Sequence, residues 1–184
     1  MRNSIVVAAV LVAAALVACG RSSPRAPSSA KPLNPSAKEK SPPGDIPDNQ
    51  VYVPYPVPGA GITLKVPEGW SRRTAGGTVV FTDNLNSVRI QTTHASALPS
   101  APTIKSSVKG GSVSTLARAG GVALRVKYLA TAPPNSVTGK SVTDAVERYY
   151  YVHNGRELVL TLSGPKGADN VDPWRLISNS VRWK

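Results

Sequence analysis

One cysteine, one methionine, one phenylalanine and two histidines are all that these 184 residues hold of those types. A single thiol excludes an intramolecular disulfide, so any folded part rests on its apolar core. Acids are scarce too: ten Asp and Glu face 22 Lys and Arg, a formal net charge of +12. The longest apolar run, Ile5 to Ala18, falls short of the roughly 18–20 residues that cross a bilayer as a helix. There is no Gly-x-Ser-x-Gly elbow of a serine hydrolase, and Gly76-Gly77 and Gly110-Gly111 lie in no phosphate-cradling motif. What is abundant is proline, at 17 residues, and basic charge.

The short apolar run has the length of a secretory h-region, follows the basic Arg2 and ends in small residues, which reads as a signal peptide over 1–18. Leu16-Val17-Ala18-Cys19 resembles the lipobox of bacterial lipoprotein precursors. That resemblance implies a diacylglycerol on the Cys19 sulfur, cleavage before Cys19 and a mature chain held on the extracytoplasmic face of the plasma membrane. A thiol suits the acceptor role because its thiolate is a strong nucleophile. Two acyl chains anchor stably where one binds only marginally. With Cys19 consumed, His94 and His153 are too few to build a zinc site.

Residues 19–50 carry seven prolines and six serines, with Leu33 and Ile46 as the only large aliphatics. Such a stretch buries too little apolar surface to offset chain entropy, which predicts a disordered linker. Residues 51–184 then have the size of one domain. Ile62, Leu64 and Val66 alternate with Thr63 and Lys65. Val88, Ile90 and Thr92 alternate with Arg89 and Gln91. Val122, Leu124, Val126 and Tyr128 stand opposite Ala123, Arg125 and Lys127. A period of two marks half-buried strands. Asn154-Gly155 between strand-like runs predicts a two-residue hairpin. It pairs His153 with Arg156 and places Tyr149, Tyr151, Leu158, Leu160 and Leu162 in the core. Tyr150 and Val159 fall on the other face and need cover of their own. Ser112 is read as the cap of a short helix through Ala119. Asp172-Pro173 is read as the start of a last helix with Trp174, Ile177 and Val181 inward. The sum is an α+β domain, an antiparallel β-sheet with packed helices.

The stretch "GITLKVPEGW" (Gly61 to Trp70), followed by "VVFTD" and "NSVRI", resembles the opening of the PsbP/Mog1-like fold, and in bacteria it is similar to LpqN-type actinobacterial lipoproteins. The ending "GADNVDPWRLISNSVRW" (Gly167 to Trp183) resembles the closing helix of that group. The shared positions are structural: Pro67, Gly69 and Trp70 at a turn, and Trp174 in the last helix. No ion-linked residue of the photosystem members finds a matching position, and no cofactor is implied.

Candidate chemistry is sparse. Asp169, Asn170 and Asp172 lack the spacing of a calcium loop, and Asp172 reads as a helix cap. Asp144 and Glu147 read as solvated acids. A Ser/His/Asp triad on His94 or His153 stays open, because triads are spatial. Charge is what remains: residues 51–184 hold sixteen Lys and Arg against seven Asp and Glu. Lys65, Arg89, Arg125 and Lys127, each opposite the apolar set of its strand, form a candidate anion-binding face. Anionic lipid, wall polymer or an acidic protein would be the partner, and secretion argues against nucleic acid. The leading reading is a non-catalytic binding or accessory module at the cell envelope. The alternative is a carrier or sensor of a small apolar or anionic ligand, with a pocket between sheet and helix lined by Trp70, Tyr149 or Trp174. An envelope hydrolase comes third.

Overall fold

Asn154 and Gly155 both adopt positive φ, 47° and 75°, as a two-residue hairpin loop between right-twisted strands demands. This turn fixes the register of the central pair in the computed structural model, which describes residues 42–83, 85–134 and 139–184. Strand β8 (Thr143–His153) and strand β9 (Arg156–Pro165) pair as His153 with Arg156, Tyr151 with Leu158 and Tyr149 with Leu160. Tyr149, Tyr151, Leu158, Leu160 and Leu162 are all buried, as the turn predicts.

Around that pair the chain lays down β1 (Tyr52–Val57), β2 (Ile62–Pro67), β3 (Ser71–Ala75), β4 (Thr78–Asp83) and β5 (Asn86–His94). Helix α1 (Ala101–Ser107), β6 (Ser112–Arg118) and β7 (Gly121–Thr131) follow, and helix α2 (Val171–Asn179) and β10 (Arg182–Trp183) close the chain. Two antiparallel sheets result: β1-β2-β10, and β3-β4-β5-β9-β8-β7-β6. The main core lies between them. Ile62, Leu64 and Val66 of the small sheet meet Val79, Phe81, Val88, Ile90, Leu158 and Leu160 of the large one, and Trp174, Ile177 and Val181 close the side. α1 covers part of the outer face of the large sheet, where Ile104 and Val108 pack on Leu124 and Val126, with Tyr150 partly buried beside them. This is the cover that Tyr150 needs.

Three expectations are corrected. Ser112 opens a strand, not a helix, because Val113 and Leu116 pack within an edge strand whose Arg118 pairs with Gly121 across a tight turn. The helix lies earlier, at Ala101–Ser107, where the Ser100 hydroxyl accepts the Thr103 N–H at 3.2 Å. Asp172 does not cap α2: Asn170 holds the cap position, and Asp172 pairs with Arg175 at 3.0 Å on the exposed first turn.

The third correction concerns the linker boundary. Ordered packing begins ahead of Val51, because Ile46 is buried in the main core. Asn170, 2% exposed, holds that segment: its Oδ1 accepts the Ile46 N–H at 2.8 Å, while its Nδ2 donates to Gly44 O and to Asn86 Oδ1, both at 3.0 Å. Gly164 lies against the same network. A Cβ there would collide with Asn86 Oδ1 and stand 2.8 Å from Asn170 Nδ2. The signal peptide (1–18), Cys19 and the linker up to residue 41 lie outside the described residues.

Candidate functional site

Glu147 is the residue around which the site is built. Opposite Leu162 in the central pair, it is drawn onto the inner face of the large sheet, and both it and Asp144 are buried, against the solvated role expected of them. An isolated buried carboxylate is costly. Here the Tyr149 hydroxyl donates to its Oε2, and Lys127 Nζ lies 3.1 Å from its Oε1, with Arg125 Nη1 at 3.9 Å. Register explains the meeting: Lys127 pairs with Glu147 and Arg125 with Tyr149. Burial, and then the hydrogen bond to Glu147, pushes the Tyr149 phenol above its ordinary range, so it stays protonated and a donor at neutral pH.

Beside this cluster opens a pocket of about 360 Å³. Lys127, Leu129, Ala145 and Glu147 form its floor, and Asn170, Val171 and Trp174 of the α2 end form its wall. Leu129 is 54% and Val171 65% exposed, an apolar rim with nothing over it. Asn170 is not a free polar group, since its amide is committed to the 42–50 segment. Lys127 and Glu147 are the charged side chains of the lining; Arg125, outside it, shares the Glu147 carboxylate, and Lys127 is half exposed, at 50%. The size matches the low end of small-ligand pockets, which are mostly apolar with a few placed polar groups.

The expected pocket residues are therefore partly assembled. Trp174 is in the wall, and Tyr149 stands behind the floor on Glu147. Trp70, half-buried against the main core, is not among the lining residues. The expected anion-binding face does not form. Arg125 and Lys127 share the inner face with Tyr149 and Glu147, whereas Arg89, in register with Thr161 and so with Arg148, is on the outer face. Lys65 is on the small sheet. The parity argument assumed one wet face per strand, but β7 is packed on both.

A larger groove, about 750 Å³, runs between the small sheet and α2, with Tyr52, Lys65, Leu176, Asn179 and Arg182 along it. Its rim mixes signs, Asp172 and Arg175 being paired with each other, and it brings together none of the expected pocket residues. Its Tyr52 hydroxyl is buried with no partner among the described residues, and burial pushes that phenol up to about 12. An orphaned hydroxyl costs its desolvation without return. Tyr52→Phe should therefore keep the fold and gain about 1 kcal/mol in chemical denaturation. A loss of that size would show that the hydroxyl is satisfied in solution.

His94 and His153 line a third, smaller recess. His153 stacks on Trp183 with centroids 5.3 Å apart, and the lining holds no serine, aspartate or glutamate side chain. Among the described residues no cluster of His, Cys, Asp and Glu could hold a metal ion, and no helix is long and apolar enough to cross a membrane.

Comparison with known proteins gives structural likeness only. No family model matches the chain, and no curated protein matches it. The cyanobacterial PsbP of Synechocystis is 12% identical, with a TM-score of 0.49, over 77% of this chain and 98% of that one. The Ran-binding protein Mog1p of Saccharomyces cerevisiae is 10% identical, TM-score 0.47, over 73% and 96%. LpqN of Mycobacterium tuberculosis, a protein involved in cell envelope biogenesis, is 17% identical, TM-score 0.39, over 73% and 91%. A Bacteroides thetaiotaomicron protein, 10% identical with a TM-score of 0.49, is matched over 67% of this chain but only 45% of its own length. The first three bear the names that the sequence resemblance suggests. With every TM-score below 0.5, none of them carries an argument about ligand, partner or activity.

Proposed function

We propose that this chain is a non-catalytic binding module, lipid-anchored through Cys19 on the extracytoplasmic face of the plasma membrane. In this reading it holds a small amphipathic molecule with an apolar body and an anionic head. The observation that carries the reading is the pocket beside Glu147: uncovered Leu129 and Val171 on its rim, Trp174 in its wall and the half-exposed Lys127 ammonium on its floor, with Arg125 behind it on the same carboxylate. The apolar body would lie along Leu129, Val171 and Trp174, where burying each methylene contributes about 0.8 kcal/mol. The head would meet Lys127, already half solvated, so that little desolvation is added. The start of α2 supplies further positive potential at the same wall. Glu147 positions the cations, and Lys127 and Arg125, which share its carboxylate, disfavour a cationic head.

Calorimetric titration with decanoate, decanol and decyltrimethylammonium tests this. Decanoate should bind tightest and decyltrimethylammonium weakest, and Lys127→Glu should remove the preference. Equal affinity for all three, or none for any, contradicts the reading. The anchor rests on Leu16 to Cys19 and has its own test: Cys19→Ser should abolish partition into the detergent phase and leave an uncut precursor. If the variant fractionates and is trimmed like the wild type, Cys19 is not the anchor.

A further inference from the structure

The outer face of the large sheet carries a second, independent pattern. Arg73 of β3 pairs with Val80 of β4, and Val80 with Arg89 of β5. Arg89 pairs with Thr161 of β9, and Thr161 with Arg148 of β8. Directly opposed residues project to the same side, so these five form one row across five strands, with an arginine on every second strand. At about 4.8 Å per strand step, neighbouring arginines stand about 10 Å apart. Arg73 and Arg89 are exposed, and among the described residues no hydrogen bond or ion pair engages either. Arg148 is fixed by its Nε to Thr161 Oγ1 at 3.2 Å and its Nη2 to the Tyr128 hydroxyl at 2.8 Å, with the guanidinium over the Tyr128 ring.

The surroundings suit a charged, hydrogen-bonding occupant. The next row on one side is hydroxyls, Ser71, Thr82, Ser87 and Ser163, with the last two bonded to each other at 2.7 Å. On the other side stand Thr78 and Gln91. The acids of this face, Asp144 and Glu157, lie four residues along β8 and β9 from the row, about 13 Å away at ~3.3 Å per residue. That exceeds the screening length of about 8 Å at physiological ionic strength. α1 covers the β6–β7 side of the face and leaves the β3-β4-β5-β9 part open.

We infer that this arginine row is a docking track for a linear, phosphate-bearing polymer lying across the strands, a site separate from the pocket. Guanidinium groups bind phosphate oxygens in bidentate fashion, and a row of charges in one line fits a chain better than a single anion. A membrane surface fits less well. β3, β4, β5 and β9 contribute none of the exposed large hydrophobics among the described residues, so this face offers nothing to insert between lipids.

Long-chain polyphosphate is the probe, followed by anisotropy across a salt series on the mature chain. Counterion release gives about −0.7 in log–log salt slope per phosphate contact on a single strand, so a slope near −2 is expected for three arginines. Arg73→Glu with Arg89→Glu should weaken binding at least about tenfold and flatten the slope. Lys65→Glu with Lys184→Glu, the same charge change on exposed residues elsewhere, should alter it by less than about twofold. Arg73→Gln with Arg89→Gln, checked for an unchanged denaturation midpoint, separates charge loss from misfolding. Equal losses in the two double-Glu variants would reduce the effect to net charge and overturn the track. So would inorganic phosphate competing as well as the polymer per charge, or Arg73- and Arg89-dependent binding to phosphatidylglycerol vesicles without polyphosphate binding. Pocket titration with decanoate is unaffected by any of these outcomes.

Discussion

Trp174→Ala should unfold the domain or lower its stability by about 3–5 kcal/mol, the cost of removing a large buried aromatic side chain. Trp174 is buried in the main core and at the same time walls the pocket. It lies one turn before Ile177, on the α2 face that presses on the large sheet, and its backbone N–H already closes the first turn on Asn170 O at 3.0 Å. Losing its ring leaves a cavity bounded by sheet and helix that neither can fill by moving alone. Against the ~5–15 kcal/mol typical of a domain, this is a large part of the margin. Urea denaturation reads it directly. A loss of less than about 1 kcal/mol would mean that Trp174 packs loosely and that the pocket wall is mobile.

Asn170→Ala is expected to cost about 3 kcal/mol and to release the segment before β1. One amide satisfies the Ile46 N–H, the Gly44 carbonyl and Asn86 Oδ1, and a buried polar group stripped of its partner costs about 1–3 kcal/mol. The Asp45 carboxylate, accepting the Asp169 N–H at 2.8 Å, would still tie that segment to the approach to α2. Hydrogen exchange should show the Ile46 amide losing protection while Leu160 and Tyr151 in the central strands keep theirs. Unchanged protection at Ile46 would place the hold on this segment in apolar packing instead.

Much of the β-architecture was legible because period-two patterns and the Asn154-Gly155 turn are local signals. The turn alone gave the register of β8 on β9, and with it five core residues. Long-range pairing was not legible. Lys127 meets Glu147 only because β7 pairs with β8 in one register, and the connection between them, though it holds Pro133, Pro134 and Gly139, is too long to fix that register as a two-residue turn would. Glu147 therefore read as a solvated acid and Arg125 and Lys127 as surface cations. Both errors have one cause: β7 is covered on both faces, by the main core and by α1, which alternation within one strand cannot reveal. The arginine row escaped for the same reason, since Arg73, Arg89 and Arg148 belong to three strands whose order is a tertiary fact. Asn170 carried no signal that its side chain would serve residues 44 and 46 rather than the helix it starts. Trp174 was legible, because its spacing from Ile177 is a helix period; Val181, read as part of the same helix, is buried but lies beyond the helix end at Asn179.

The pocket is the central claim, and an amide-resolved NMR titration with decanoate tests it most directly. Shifts should cluster at Lys127, Leu129, Ala145, Glu147 and Val171 and at the Trp174 indole. Tyr52, Lys65, Leu176 and Arg182 along the larger groove should stay still. Saturable shifts confined to that groove, or no saturable shifts at all, would contradict the account.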